Sequence, residues 1–436
     1  MHPSDQPVDP STASPVTMDP RLRSWRRRVF AATWLSYAGF YFCRKPFFIA
    51  KPALAEELSW EPSILGLLGT CYLVAYAAGQ FVAGWAGTRW GPRILLLAGM
   101  LVSVGANFTF GLTNSFGMFA TFLIINGLAQ STGWSGNVGS MARWFRRDER
   151  GTVMGLWATN YQVGGVAANT LAAWVLGKWG FQASFFAGSI VLLLVWAFFL
   201  FNQRNAPEDV GLPAIEEDET ASEGAVKEST RSTWSPGWSR QVWTNVLLVG
   251  VFYFFVKLVR YAIWSWTPLL LARDFQLDLD DAGYLSTLFD LGGIPGVIFA
   301  GWLSDRYFAG RRVLISFVFV VGMGCSCLAL YTLGTTSLGA FAVCITVLGF
   351  TLYGPDALMT GAAAIEVGSL RAATLAAGII NGLGQIGAIT QEVLLGALLD
   401  RGGVLEVFAI LLVSSVAAIL CLGILLIRNR RGLADL

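Results

Sequence analysis

The chain has 436 residues, of which 55% are hydrophobic and only 13% charged, with a mean hydropathy of +0.58. Soluble domains carry about 25% charged residues, so a soluble globular protein is excluded. The net charge of +2 says little by itself, but the lone histidine, His2, lies in a polar tail and excludes histidine-based proton relays and zinc chemistry.

Residues 1–28 read as an N-terminal tail. The polar residues 1–20 lack the basic-then-apolar order of a cleavable signal peptide. Apolar runs of roughly 20 residues then recur, each long enough to cross a ~30 Å hydrocarbon core as a helix. They begin near residues 29, 64, 94, 117, 151, 182, 243, 283, 313, 338, 372 and 404. The fold class expected is therefore an all-α membrane protein with twelve transmembrane helices.

Six spans fill 29–202. Residues 203–241, polar, acidic and dotted with Pro, Gly and Ser, read as a solvated linker. Six more spans fill 242–428, and 429–436 form a short tail. Arginines cluster before the first span (Arg21, Arg23, Arg26, Arg27, Arg28), after the second (Arg89, Arg93), after the fourth (Arg143, Arg146, Arg147, Arg150), after the eighth (Arg306, Arg311, Arg312) and after the twelfth (Arg428, Arg430, Arg431). The opposite loops are neutral or acidic, as in Glu56, Glu57, Glu61 and Asp278, Asp280, Asp281. The positive-inside rule then puts both termini and the linker in the cytoplasm, in a multi-pass protein of the cell membrane. The six cysteines all fall within predicted spans, without metal-ligand spacing, and read as small apolar packing.

The two halves repeat. GWAGTRWGPR begins at Gly84 and GWLSDRYFAGRR at Gly301, 217 positions on, and Gly66 and Gly283 keep the same offset. Arg44 and Arg260 differ by 216, as do Tyr37 and Tyr253. A shift held over several features argues for duplicated six-helix bundles, with a ligand site between them near the midplane. The Gly-x-x-x-Asp-Arg loop resembles the major facilitator signature. Its second copy has Asp305 and Arg306, candidates for a latch; the first has Arg89 but Thr88 in place of aspartate.

Inside the membrane the charges are few and costly, at least about 2.5–3.5 kcal/mol each on insertion scales, so they face the bundle interior. Tyr37, Tyr41 and Arg44 fall at i, i+4 and i+7 on the first span; Tyr253, Lys257, Arg260 and Trp264 form the matching stripe on the seventh. Arg44, Lys45, Lys257 and Arg260 stand against two candidate buried carboxylates, Asp290 and Asp356. Such a cavity is electropositive and calls for an anion. Guanidinium forks suit phosphate. Structural pairing of each arginine with a carboxylate is the alternative.

The runs SYAGFYFCRKPFFIAKPALAEE, GWSGNVGSMARWFRRDERGTVMGLW, KLVRYAIWSWTP, LSTLFDLGGIPGVIFAGWLSD and YGPDALMTGAAAIE resemble the organophosphate:phosphate antiporter family. That family includes glycerol-3-phosphate and hexose-phosphate transporters and the eukaryotic sugar-phosphate exchangers. The resemblance implies that Arg44 and Arg260 bind phosphate, that Tyr37, Tyr41, Tyr76, Trp134 and Tyr353 line the cavity, and that Lys45 and Asp290 form a charge pair that breaks and remakes. Departures surround that clamp. Tyr161 stands where the bacterial glycerol-phosphate transporter has a histidine, and Gln80 where it has a lysine. Lys257 replaces a tyrosine and Ser265 an acidic residue, while Asp356 stands where an uncharged residue is expected.

The function implied is exchange of an organic phosphate for inorganic phosphate by a monomeric carrier, with no cofactor, no metal and no nucleic-acid partner. No phosphate loop supports an ATPase, and no nucleophile–base pair suggests an enzyme. Two other readings stay open: a membrane sensor of a phosphorylated sugar, and a proton-coupled organic-anion facilitator.

Overall fold

The protein was described from a computed structural model, in which residues 19–145, 153, 156, 157, 159–215, 239–307, 312–360 and 373–432 are described. Among them, every regular element is helical. The chain enters helix α1 (Pro20–Phe42) at Asp19, whose carboxylate accepts from the Arg21 amide at 2.7 Å, with Pro20 in the first turn. This start lies nine residues before the expected first span, because a capped arginine-rich turn extends the apolar helix.

Two Lys-Pro steps then break the rod. Proline lacks an amide donor and disfavours helix in the residue before it. The chain restarts as α2 (Lys45–Ile49) and again as α3 (Lys51–Glu57). The Cys43 carbonyl at the first break accepts from Asn126 Nδ2 at 2.8 Å. Asn126→Leu is expected to leave that buried carbonyl unpaired and to cost about 1–3 kcal/mol, seen as a lower melting temperature in detergent.

Next come α4 (Pro62–Trp90), α5 (Pro92–Phe110), α6 (Phe116–Gln130) and α7 (Thr132–Trp144). The long α8 (Thr159–Asn202) turns back at Gly180, whose φ of +81° suits glycine. Ser184 Oγ on the second limb thereby reaches the Ala172 carbonyl on the first at 3.2 Å. The second half comprises α9 (Arg240–Asp274), α10 (Leu279–Ser286), α11 (Leu288–Tyr307), α12 (Arg312–Leu333), α13 (Leu338–Thr360), α14 (Ala373–Leu399) and α15 (Val404–Arg430). Helices begin within four residues of the expected starts at 64, 94, 117, 243, 283, 313, 338 and 404. The starts at 151 and 372, and most of the 203–241 linker, lie outside the described residues. Nine of the described helices are long and apolar enough to cross a membrane.

Packing repeats between the halves: α4 lies on α6 as α11 lies on α13, and α1 lies on α8 as α9 lies on α14 and α15. The halves meet where α4 crosses α14, α8 crosses α10, and α2 and α3 abut α9. The named contacts across this seam lie midway or at the end remote from the chain termini. There Gly66 and Gly69 admit Glu392 of α14 so closely that a Cβ at Gly66 would stand 2.3 Å from the Glu392 carbonyl oxygen, and one at Gly69 2.7 Å from its carboxylate. Ser63 N donates to Asp400 Oδ1 at 2.9 Å beside them.

Candidate anion site

The break after α1 sets Arg44 between two helices, its side chain turned inward and only 8% exposed. Its Nε donates to Gln130 Oε1 at 2.8 Å, and its guanidinium lies 4.9 Å from the Tyr41 ring and 5.1 Å from the Tyr76 ring. Gln130 is itself fixed: Oε1 also accepts from Tyr72 at 3.0 Å, and Nε2 donates to Asn126 and Ser103. Among the described residues, the buried Nη2 of Arg44 has no hydrogen-bond partner. A bare guanidinium nitrogen in a dry site is costly, and an incoming oxyanion would satisfy it.

Arg260 comes from the other half, on the unbroken α9. Its Nη1 pairs with Asp356 Oδ2 of α13 at 2.6 Å, over the Tyr353 ring at 4.6 Å. Arg44 and Arg260 line one cavity of about 30 Å³, room for roughly two waters. Tyr41, Tyr161, Gln162 and Gly165 complete its first-half wall; Tyr261, Trp264, Asp290 and Tyr353 complete the second. Seen at this size, the cavity is contracted around its charges. A larger cleft of about 550 Å³ opens at the far end, but Glu56, Glu61, Asp278 and Asp400 outweigh its single cation, Arg273, and its field repels anions.

Lys45 pairs with Asp290 across the seam at 3.2 Å and sits 3.8 Å from the centre of the Trp264 ring. Tyr353 donates to the other oxygen of Asp290 at 2.5 Å. Lys257, one turn before Arg260, donates to Asn381 Oδ1 at 3.0 Å and lies over the Tyr253 ring at 4.9 Å.

Of the residues singled out by sequence, Tyr41, Arg44, Tyr161, Arg260, Asp290 and Tyr353 meet on the cavity wall. Lys45, Tyr76, Lys257 and Asp356 stand directly behind it. Tyr37 and Trp134 do not line it. They join Trp157 in an aromatic cluster with ring separations of 5.5–5.8 Å, and Trp134 is 43% exposed. Arg89 and Arg306 are exposed, and the Asp305 side chain lies outside the described residues.

The tally of buried charges was incomplete in the sequence. Lys51 and Glu392, both 0% exposed, pair at 2.9 Å, with Ser265 accepting from Lys51 at 2.6 Å and donating to the second Glu392 oxygen. Trp266 faces the ammonium at 3.6 Å. This pair adds one cation and one anion, so the excess of positive charge around the cavity is unchanged. Glu392, an acid inside the apolar run ITQEVLLGALL, was the available signal.

The family model described as "Major Facilitator Superfamily" matches residues 29–269 and 249–435. The chain is 28% identical to the probable hexose phosphate transport protein of Chlamydia muridarum, covering 94% of this chain and 92% of that one. It is 31% identical to the membrane sensor protein UhpC of Escherichia coli over 85% of each chain, and 30% identical to the glucose-6-phosphate exchanger SLC37A2 of Xenopus laevis over 94% of each. Among solved structures, a bacterial homologue of the lysosomal transporter Spinster, inward-facing and occupied, has a TM-score of 0.72 at 13% identity, covering 94% of this chain and 99% of that one; this likeness speaks to the fold alone. With its two packed sets of helices and these relatives, the chain belongs to the Major Facilitator Superfamily and, within it, to the organophosphate:phosphate antiporter family.

Proposed function

We propose that this chain is a secondary transporter that takes a phosphorylated sugar or glycerol-3-phosphate across the cell membrane in exchange for inorganic phosphate. The observation that carries the reading is the meeting of Arg44 and Arg260, one from each half, on a single buried cavity, with Arg44 Nη2 lacking a partner among the described residues. The phosphate would bridge the two guanidinium groups and draw the halves together. The empty site keeps two more cations than anions among Arg44, Lys45, Lys257, Arg260, Asp290 and Asp356. Such an excess makes reorientation without a ligand slow in low dielectric, and exchange then outpaces net flux. In this reading both termini are cytoplasmic and the carrier works as a monomer. The seam closed by Lys51 and Glu392 faces outward, so the described conformation is shut to the outside.

Proteoliposomes loaded with phosphate test it, challenged with labelled phosphate, glycerol-3-phosphate, glucose-6-phosphate and phosphoenolpyruvate. The expected result is uptake that requires internal phosphate and is inhibited by external phosphate. Uptake that ignores internal phosphate and follows a pH gradient would overturn it in favour of a proton-coupled facilitator. Saturable binding with no flux in either direction would make the chain a sensor, as the relative in E. coli is named.

A further inference from the structure

The cavity's second-half wall holds an arrangement that the clamp alone does not use. Lys257 and Arg260 lie at i and i+3 on α9, hence on one face about 5–6 Å apart at Cβ. Asp356 of α13 faces both cations electrostatically, but its ion pair is with Arg260, at 2.6 Å. Lys257, 5% exposed, donates only to the neutral amide of Asn381 and, among the described residues, forms no ion pair. One carboxylate thus serves two buried cations and stands on the one that the transported phosphate needs.

A dianion arriving at Arg260 would place like charges side by side in a low-dielectric site. Rotation of the carboxylate toward Lys257 relieves that repulsion, and it replaces a neutral hydrogen bond of the lysine by a stronger charge-assisted one. The count of charges is the same before and after, so no proton is required.

We infer that Asp356 is a movable counter-ion, held by Arg260 in the empty carrier and handed to Lys257 when phosphate takes Arg260. The inference rests on the phosphate-exchange reading above. Asp356 then lowers the cost of the empty site and helps expel the product, since its return to Arg260 competes with bound phosphate. Lys257 is a positioning residue that acts through Asp356. Among the described residues, the other ionisable groups facing Asp356 include Tyr161 of α8, Tyr253 and Tyr261 of α9 and Tyr353 of α13.

The test is a double-mutant cycle in phosphate–phosphate exchange, with KM and kcat read separately. Lys257→Gln strands the carboxylate on Arg260 and is expected to raise the phosphate KM about tenfold, the loss of one charge-assisted bond. Asp356→Asn is expected to lower KM and to lower kcat as release slows. The double variant is expected to keep the low KM of Asp356→Asn to within about threefold, because without the carboxylate Lys257 has nothing to receive, and Lys257→Arg keeps the parent values. Independent effects that simply multiply would overturn the swap, because uncoupled sites add in free energy. An unchanged KM in Lys257→Gln would overturn it too, and this variant decides alone if Asp356→Asn does not fold. Loss of exchange in the parent protein would instead sink the exchange reading itself.

Discussion

Arg44→Lys is expected to reduce phosphate exchange in proteoliposomes by at least about a hundredfold, with the protein still folded. Lysine keeps the charge but removes the planar fork. It gives up the Nε contact to Gln130 that aims the group, and the second terminal nitrogen, Nη2, that is left unpaired among the described residues. Losing two charge-assisted bonds of about 1.5 kcal/mol or more each accounts for that factor. Arg260→Lys is expected to be as severe. There the lost geometry includes the 2.6 Å pair with Asp356, so the carboxylate as well as the phosphate is left poorly held. The measurement is exchange rate per folded protein, with melting temperature as the control. Near-parent rates in both variants would remove the clamp from the mechanism.

Lys51→Met is expected to open the far seam. Removing one member of a buried ion pair costs about 3–5 kcal/mol, because the other charge stays behind. Here Glu392 would be left at 0% exposure against Gly66 and Gly69. The protein need not unfold to relieve it. Separation of α4 from α14 gives Glu392 water, so the population moves from the closed-seam state to the open one by about two orders of magnitude. Labelling of a cysteine introduced at Ser63, which is tied to Asp400 in the closed seam, reports the shift as faster modification from outside. The double variant Lys51→Met, Glu392→Met leaves no lone charge and is expected to label at close to the parent rate. Equal labelling in parent and single variant would remove the pair from the gate.

The helical, membrane-spanning class was legible because hydrophobic run length alone decides it, as the starts near 64, 94, 243 and 404 show. The cationic stripe was legible as well, since charges in apolar runs stand out: Arg44 and Arg260 do share one cavity. Pairing was legible only in part. The residues alone offered Asp290 and Asp356 as partners for the arginines, and Asp356 does pair with Arg260; the Lys45–Asp290 pair was given by the family resemblance and is present, because the seam brings α11 against the start of α2. Periodicity put Tyr37 on the same stripe as Tyr41, but one helical turn is enough to carry it into the Trp134–Trp157 cluster. Lys51 and Glu392 lie 341 positions apart. Only tertiary packing joins them, and no local pattern in either segment names the other.

The interruption of α1 at Arg44 has a mechanical outcome. Arg44, Lys45 and Lys51 lie within eight consecutive positions, at the break and on the two short helices that follow it, and they touch in turn the cavity, Asp290 and Glu392. A shift of this backbone when ligand binds is expected to reach the Lys51–Glu392 pair directly, as a crank turns its rod, with no chain of intermediate side chains. In the exchange reading, cargo site and seam would then be geared through a single short stretch of polypeptide. Stiffening that stretch would uncouple them even with every charge in place.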